Sequence, residues 1–202
     1  DHLFLGSDAG LQIRKASGKA VRIKTRGGIT SAEDVRDSAA YRWVEADGEL
    51  VLEASGGSIG DPDNMLFFDQ TEGHSITARA LEDVWLEKAD GDANIGAILA
   101  KNGVAYMKTP GAITDYYADD TRDIEGRSVL LHPDAGSYTL EVNGADVASP
   151  VSGSHSLQID VGEGGLGILT RGELLIASGD RLPLDTIMSE REITVWAEED
   201  IV

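Results

Sequence analysis

The chain contains no cysteine among its 202 residues. Disulfides are excluded, and with them thiolate metal sites and cysteine nucleophiles. Positive charge is scarce as well: 17 lysines and arginines stand against 36 aspartates and glutamates, for a net charge of −19. Such a surface repels the phosphates of nucleic acid and the anionic faces of membranes. It favours solubility and attracts divalent cations or cationic partners. No stretch approaches the roughly 20 consecutive apolar residues of a membrane-spanning helix, so no membrane insertion is expected. Helical periodicity is nearly absent. The best helix candidate, Ser31 to Ala40, has Ser31 as a possible cap and acidic residues in its first turn, but few apolar positions. The chain opens at Asp1 with neither methionine nor signal peptide, and reads as a processed product or a piece of something longer.

What is present is a repeated phrase. Val21-Arg-Ile23-Lys-Thr25-Arg-Gly27-Gly-Ile29 is a short alternating strand closed by a glycine turn. Leu50-Val-Leu52-Glu-Ala54-Ser-Gly56-Gly-Ser-Ile59 repeats it with one extra residue, and Ala105-Tyr-Met107-Lys-Thr109-Pro-Gly111-Ala-Ile113 repeats it again. Period-2 alternation places strands in these phrases at Val21–Thr25, Leu50–Ala54 and Val104–Lys108, and predicts further ones at Leu11–Ile13, Tyr41–Val44, Met65–Phe68, Ser75–Ala78, Val84–Leu86, Ile95–Leu99 and Ser128–Leu131. It predicts others at Tyr138–Val142, Ser156–Val161, Leu166–Thr170, Leu174–Ala177 and Ile193–Trp196. The 24 glycines punctuate these runs and supply their turns.

The pattern predicts an all-β protein. The regular return of the phrase and its glycine favours a parallel β-helix, or β-solenoid, with coils of roughly 20 to 30 residues. An antiparallel β-sandwich is the alternative, since hairpins also yield short strands with glycine turns. Residues 1–133 read as the solenoid repeat region. Residues 134–202 read as a continuation of the stack or as a second small β lobe with a terminal cap. The small, polar stretch from Asp134 to Ser154 marks either a hairpin insertion or that boundary.

From Gly48 to Gly126 the sequence resembles the filamentous-haemagglutinin-like or haemolysin-type repeats of giant bacterial exoproteins. The matching phrases are Gly56-Gly57-Ser58-Ile59-Gly60, Glu82-Asp-Val-Trp-Leu-Glu87 and Ala89-Asp-Gly-Asp-Ala-Asn-Ile95-Gly96. Pro110-Gly-Ala-Ile113 and Ala118-Asp-Asp-Thr-Arg-Asp-Ile124 follow in the family's order. Glu82-Asp83 replaces the usual Gly-Asp, and Ala93 replaces the usual apolar residue. The resemblance implies a right-handed parallel β-helix in a secreted or surface-anchored protein with an adhesive, matrix or surface-layer role. It carries no catalytic residues over.

Three loops concentrate hard oxygen ligands: Asp61, Asp63 and Asn64; Asp90, Asp92 and Asn94; and Asp115, Asp119, Asp120 and Asp123. Alternating Asp and Asn on glycine turns suits calcium, which takes six to eight oxygens. The same residues also favour turns by bonding to their own backbone, so calcium sites and plain turn chemistry both stand as readings. His2, His74, His132 and His155 lie too far apart in sequence to suggest zinc. Ser152-Gly-Ser154-His155 is no nucleophile elbow, and Gly162 to Gly167 reads as a glycine corner rather than a phosphate loop. Trp43, Trp85 and Trp196 read first as packing residues and second as sugar platforms.

The expectation is therefore an extracellular structural or adhesive repeat protein, without catalysis, forming filaments and stabilised by calcium. Its partners would be further copies of itself through open strand edges, or a cell-surface or matrix glycan or protein. Two other classes remain: a carbohydrate-active β-helix enzyme, and a viral coat, decoration or fibre protein.

Overall fold

The computed structural model describes residues 1–32, 43–117, 121–144 and 155–202. All but the first two residues of the helix expected at Ser31–Ala40 lie outside the described residues. The first coil holds β1 (His2–Ser7), β2 (Leu11–Ile13) and β3 (Ala16–Gly18). The second holds β4 (Ala20–Thr25), β5 (Ile29–Ser31) and β6 (Val44–Ala46), and the third β7 (Leu50–Ala54) and β8 (Leu66–Gln70). Then come β9 (Ser75–Ala80), β10 (Val84–Lys88), β11 (Ala93–Thr109), β12 (Ile113–Asp115) and β13 (Ile124–Pro133). The chain continues through β14 (Tyr138–Val142), β15 (His155–Thr170), β16 (Leu174–Ser178), β17 (Leu184–Ser189) and β18 (Ile193–Ala197).

Among the described residues every strand pair is parallel. A sandwich of hairpins pairs its neighbours antiparallel, so the antiparallel alternative is overturned. The protein is all-β, with a 16-stranded parallel sheet and a 2-stranded one formed by β2 and β5, the architecture of a solenoid.

One interior column shows how the alternation builds the stack. In hydrogen-bonding order it runs Leu5, Ile23, Leu52, Ala78, Ile98, Ile124, Ile159, Val142, Ser178, Ala197. Nine steps at the usual strand spacing of about 4.8 Å give a rod roughly 43 Å long. A single buried cluster extends from Ile13 to Leu182, on both sides of the division between residues 133 and 134. Strands buried on one face by stacking need only a short apolar-x-apolar phrase, which explains their brevity.

The first two copies of the repeated phrase stack in register, with Val21 on Leu50, Thr25 on Ala54 and Ile29 on Ile59. Their paired glycines form a corner where coils touch through backbone. A side chain at Gly27 would meet Gly10 N at 2.5 Å, and one at Gly57 would meet Gly28 N at 2.8 Å. The third copy does not join this stack. Ala105 sits on Val84, which follows Ile29 and Ile59, so this copy starts in the column where the other two end. Each face uses the same local rule, and a repeat of the phrase therefore need not mean a repeat of the coil.

That local rule includes the end of the strand. The last inward residue is often a small hydroxyl that donates to a carbonyl at a corner: Thr25 Oγ1 to Gly27 O (2.7 Å), Thr109 Oγ1 to Gly91 O (2.7 Å) and Ser178 Oγ to Asp180 O (2.9 Å). These bonds satisfy corner groups that no strand reaches.

The stack departs once from chain order. The sheet runs β13, β15, β14, β16, so the first half of β15 fills a slot between β13 and the earlier strand β14. β14 and β15 pair parallel, in register from Tyr138–His155 to Val142–Ile159, and so do not form a hairpin. The segment between them in sequence, 145–154, lies outside the described residues.

Candidate functional site

The acidic loops are built into contacts between coils. In the first loop Asp61 and Asn64 exchange backbone hydrogen bonds of 3.2 and 3.1 Å, closing a turn. Asp61 Oδ1 accepts from Asp63 N at 2.9 Å. Asn64 Oδ1 accepts from Ser31 Oγ (2.8 Å) and its Nδ2 donates to Ser31 O (3.2 Å), tying this loop to the coil below. Asp63 is exposed.

In the second loop, Asp90 Oδ1 accepts from Gly91 N at 2.8 Å. Asp92 Oδ1 accepts from Ala112 N at 2.7 Å, and Asn94 Oδ1 from Thr114 Oγ1 at 2.6 Å, so both grip the next coil. In the third, Asp115 Oδ1 accepts from Tyr117 N at 2.8 Å. Asp123, 1% exposed, takes the Gln158 N–H on Oδ2 at 2.9 Å. Asp119 and Asp120 lie outside the described residues. Among the described residues no three His, Asp or Glu side chains gather as a metal-holding group. One accepted hydrogen bond still leaves a carboxylate with further lone pairs.

The structure brings Asp90 and Asp92 together around a cation the sequence reading passed over. Lys88 is 3% exposed, occupying the last inward position of β10 after Val84 and Leu86. Its Nζ donates to Asp90 O. Burial pulls the Lys88 pKa below the ordinary lysine value, while Asp69, Asp90, Glu72 and Asp92 oppose that shift by their charge. The positive charge that these acids surround is the protein's own. Gln70, at the matching end of β8, is also buried; its Nε2 donates to Gly48 O (2.8 Å) and Ser75 O (2.6 Å). The signal for both was present: each closes an apolar-x-apolar phrase, where an inward polar residue must reach a corner carbonyl.

Outward positions form charge ladders along the stack. Lys24 pairs with Glu53 at 2.6 Å and Lys108 with Glu87 at 2.8 Å, each between residues in register on adjacent coils. The hydrogen bond from Glu87 raises the Lys108 pKa. Glu125 and Asp160 stack in register as like charges, a destabilising arrangement by itself. Arg122 bridges them, at 2.6 Å to Glu125 and 2.7 Å to Asp160. Arg122→Met is expected to lower stability by about 1 kcal/mol or less at low salt, because all three groups are partly exposed. Urea midpoints compared at low and high salt check this: the difference from the parent should shrink as salt screens the repulsion.

The tryptophans divide. Trp43 is buried, as packing predicts. Trp85 is half-buried and stacks on Tyr106 of the next coil, ring centres 5.1 Å apart. Trp196 is 50% exposed because it sits outward on β18, an edge strand of the stack. A cleft of about 650 Å³ opens beside the displaced strand, lined by Asn143, Glu163, Asp180, Arg181 and Asp185 among others. Glu163 comes from the middle of β15, Asp180 and Arg181 from the corner after β16 and Asp185 from β17, and sequence spacing gives no hint of their meeting. No protein family matches the chain, and neither does any curated protein or solved structure.

Proposed function

We propose that the chain is a structural or adhesive solenoid segment of a secreted or cell-surface protein, acting without catalysis and extending by self-association or by holding a surface glycan or protein. The observation that supports this best is where the conspicuous polar side chains go. Asn64, Asp92, Asn94, Asp123 and Arg122 all reach from one coil to another. They serve the length of the rod rather than a shared reacting centre. The resemblance to exoprotein repeats points the same way.

The cleft around Glu163, Asp180 and Asp185 favours a second reading, a carbohydrate-active solenoid, since glycoside cleavage uses paired carboxylates. Incubation with neutral and acidic polysaccharides separates the two. The structural reading expects viscosity and reducing-end content to stay constant. Loss of viscosity that Glu163→Gln abolishes would replace it with the enzymatic one. Calcium enters as a counter-ion for the acidic loops: a melting midpoint raised by millimolar calcium and restored by chelator would assign it, and an unchanged midpoint would remove it from the reading.

A further inference from the structure

We propose that the reversed order of β14 and β15 is selected by charge, with Gln158 as the neutral spacer that holds Glu141 away from Asp123, and that the competing state is the stack in chain order. The core does not make this choice. β14 and β15 put equivalent side chains inward: Leu140 lies in register with Leu157, and Val142 with Ile159, all of them buried. Ile159 in turn lies on Ile124 of β13. Moving β14 directly onto β13 would set Val142 on Ile124 and keep the column apolar.

The outward row does distinguish the two orders. On one side Gln158 is in register with Glu141. On the other it meets Asp123: the Asp123 N–H donates to Gln158 O at 3.0 Å, and Asp123 Oδ2 accepts from Gln158 N at 2.9 Å. Gln158 Nε2 donates to Glu141 Oε2 at 3.1 Å, and Ser156 Oγ donates to Glu141 Oε1 at 3.1 Å. The inserted strand thus satisfies a carboxylate on each of its sides. In chain order Glu141 would fall opposite Asp123, one strand spacing of about 4.8 Å away. Asp123 is 1% exposed, so water screens little of that repulsion. The observed order has a like-charge contact of its own, Glu125 on Asp160, but Arg122 bridges that pair. In chain order Asn143 would replace Asp160 beside Glu125, so the Arg122 bridge belongs to the observed order alone. The choice is made jointly by three segments that meet only in the folded stack.

Disulfide trapping tests this, since the chain has no cysteine of its own. Leu175 of β16 lies in register with Thr139 of β14; in chain order it would lie against Ser156 of β15. Neighbours at strand spacing are within disulfide reach. The two reporters are Thr139→Cys with Leu175→Cys, and Ser156→Cys with Leu175→Cys, each refolded from urea in the reduced form and then oxidised. In the parent background the first should close and the second stay open. Adding Glu141→Lys turns the repulsion from Asp123 into attraction, and should raise the second yield relative to the first at least roughly ten-fold. Glu141→Gln only removes the repulsion, and should raise that ratio roughly three-fold. Gln158→Leu keeps the spacer neutral and should leave the ratio as it is. An unchanged ratio in Glu141→Gln overturns the proposal. So does a rise in Gln158→Leu as large as that in Glu141→Lys, which would assign the order to the hydrogen bonds of Gln158 instead. Should Glu141→Lys lose its strand-type circular dichroism, Glu141→Gln decides alone.

Discussion

Gly111→Ala is expected to lower the melting midpoint by about 9 °C, the equivalent of roughly 3 kcal/mol in a chain of this size. Gly111 is buried at a corner where its coil rests directly on the one before. Its N–H donates to Gly91 O at 3.1 Å, and a methyl group there would fall inside the contact radii of Gly91 C and O and of Asp92 Oδ1. Two of those atoms are backbone and cannot swing away. The third accepts the hydrogen bond from Ala112 N, so displacing it breaks a second tie between coils. Relief therefore requires the coils to separate, and separation disrupts the ladder on both sides of the corner. Gly6→Ala is the control: nothing lies within 4 Å of its added methyl group, and its midpoint should hold or rise slightly. Calorimetry on the two variants checks both. Equal midpoints would mean that the corner accommodates a side chain by local adjustment.

Tyr138→Phe is expected to cost about 2 kcal/mol. Tyr138 is fully buried at the start of β14. Its hydroxyl donates to Ala135 O at 2.7 Å and accepts from Ile113 N at 2.9 Å. β12 pairs with β11 alone, so the phenol supplies the Ile113 N–H with the partner that no strand provides. Removing one oxygen leaves two backbone groups unpaired without creating room for water.

Burial also pushes the Tyr138 pKa well above the ordinary 10.0. An acid with a raised native pKa contributes stability that is complete below its unfolded pKa and is lost as pH rises toward the native one. The gap between parent and Tyr138→Phe should therefore be constant up to about pH 10 and narrow above it. Urea midpoints across that range check the sign. A gap that stays constant above about pH 10 would place the phenol in water, and one that widens would mean that the fold favours the phenolate.

Much of the rod is legible in residue order, because each strand follows a rule a few residues long. Leu50–Ala54 and Tyr138–Val142 have the boundaries that alternation assigns. The expected pairs Ile95–Leu99 with Val104–Lys108, and Ser156–Val161 with Leu166–Thr170, are each one bent strand, whose corner is a register irregularity at the glycine-bearing residues 101–103 and 162–164 that period-2 alternation reads as a strand end. Of the strand placed at Tyr41–Val44, Tyr41 and Arg42 lie outside the described residues, and the described strand runs from Val44 to Ala46. Ile29–Ser31 and Ile113–Asp115 are too short to show a period. Leu184–Ser189, at the open end, buries too little to enforce one. The column occupied by the phrase at Ala105 and the inversion of β14 and β15 depend on which strand fills a slot, and no local residue encodes that. The acidic loops were visible as chemistry, but their use was not: Asp92 and Asn94 bond to the coil that follows, and Lys88 already supplies a cation among the acids.

The inversion of β14 and β15 has a mechanical consequence. A simple stack pulled from its C-terminal end peels one ladder at a time, each strand leaving by a free edge. Here the first half of β15 is reached before β14 along the chain, yet β14 and β13 flank it on both sides. Drawing it out must shear two ladders at once. Under tension the rod should therefore give way in small steps through β18, β17 and β16, then hold at a higher force, with the coils from β1 to β13 shielded behind that catch.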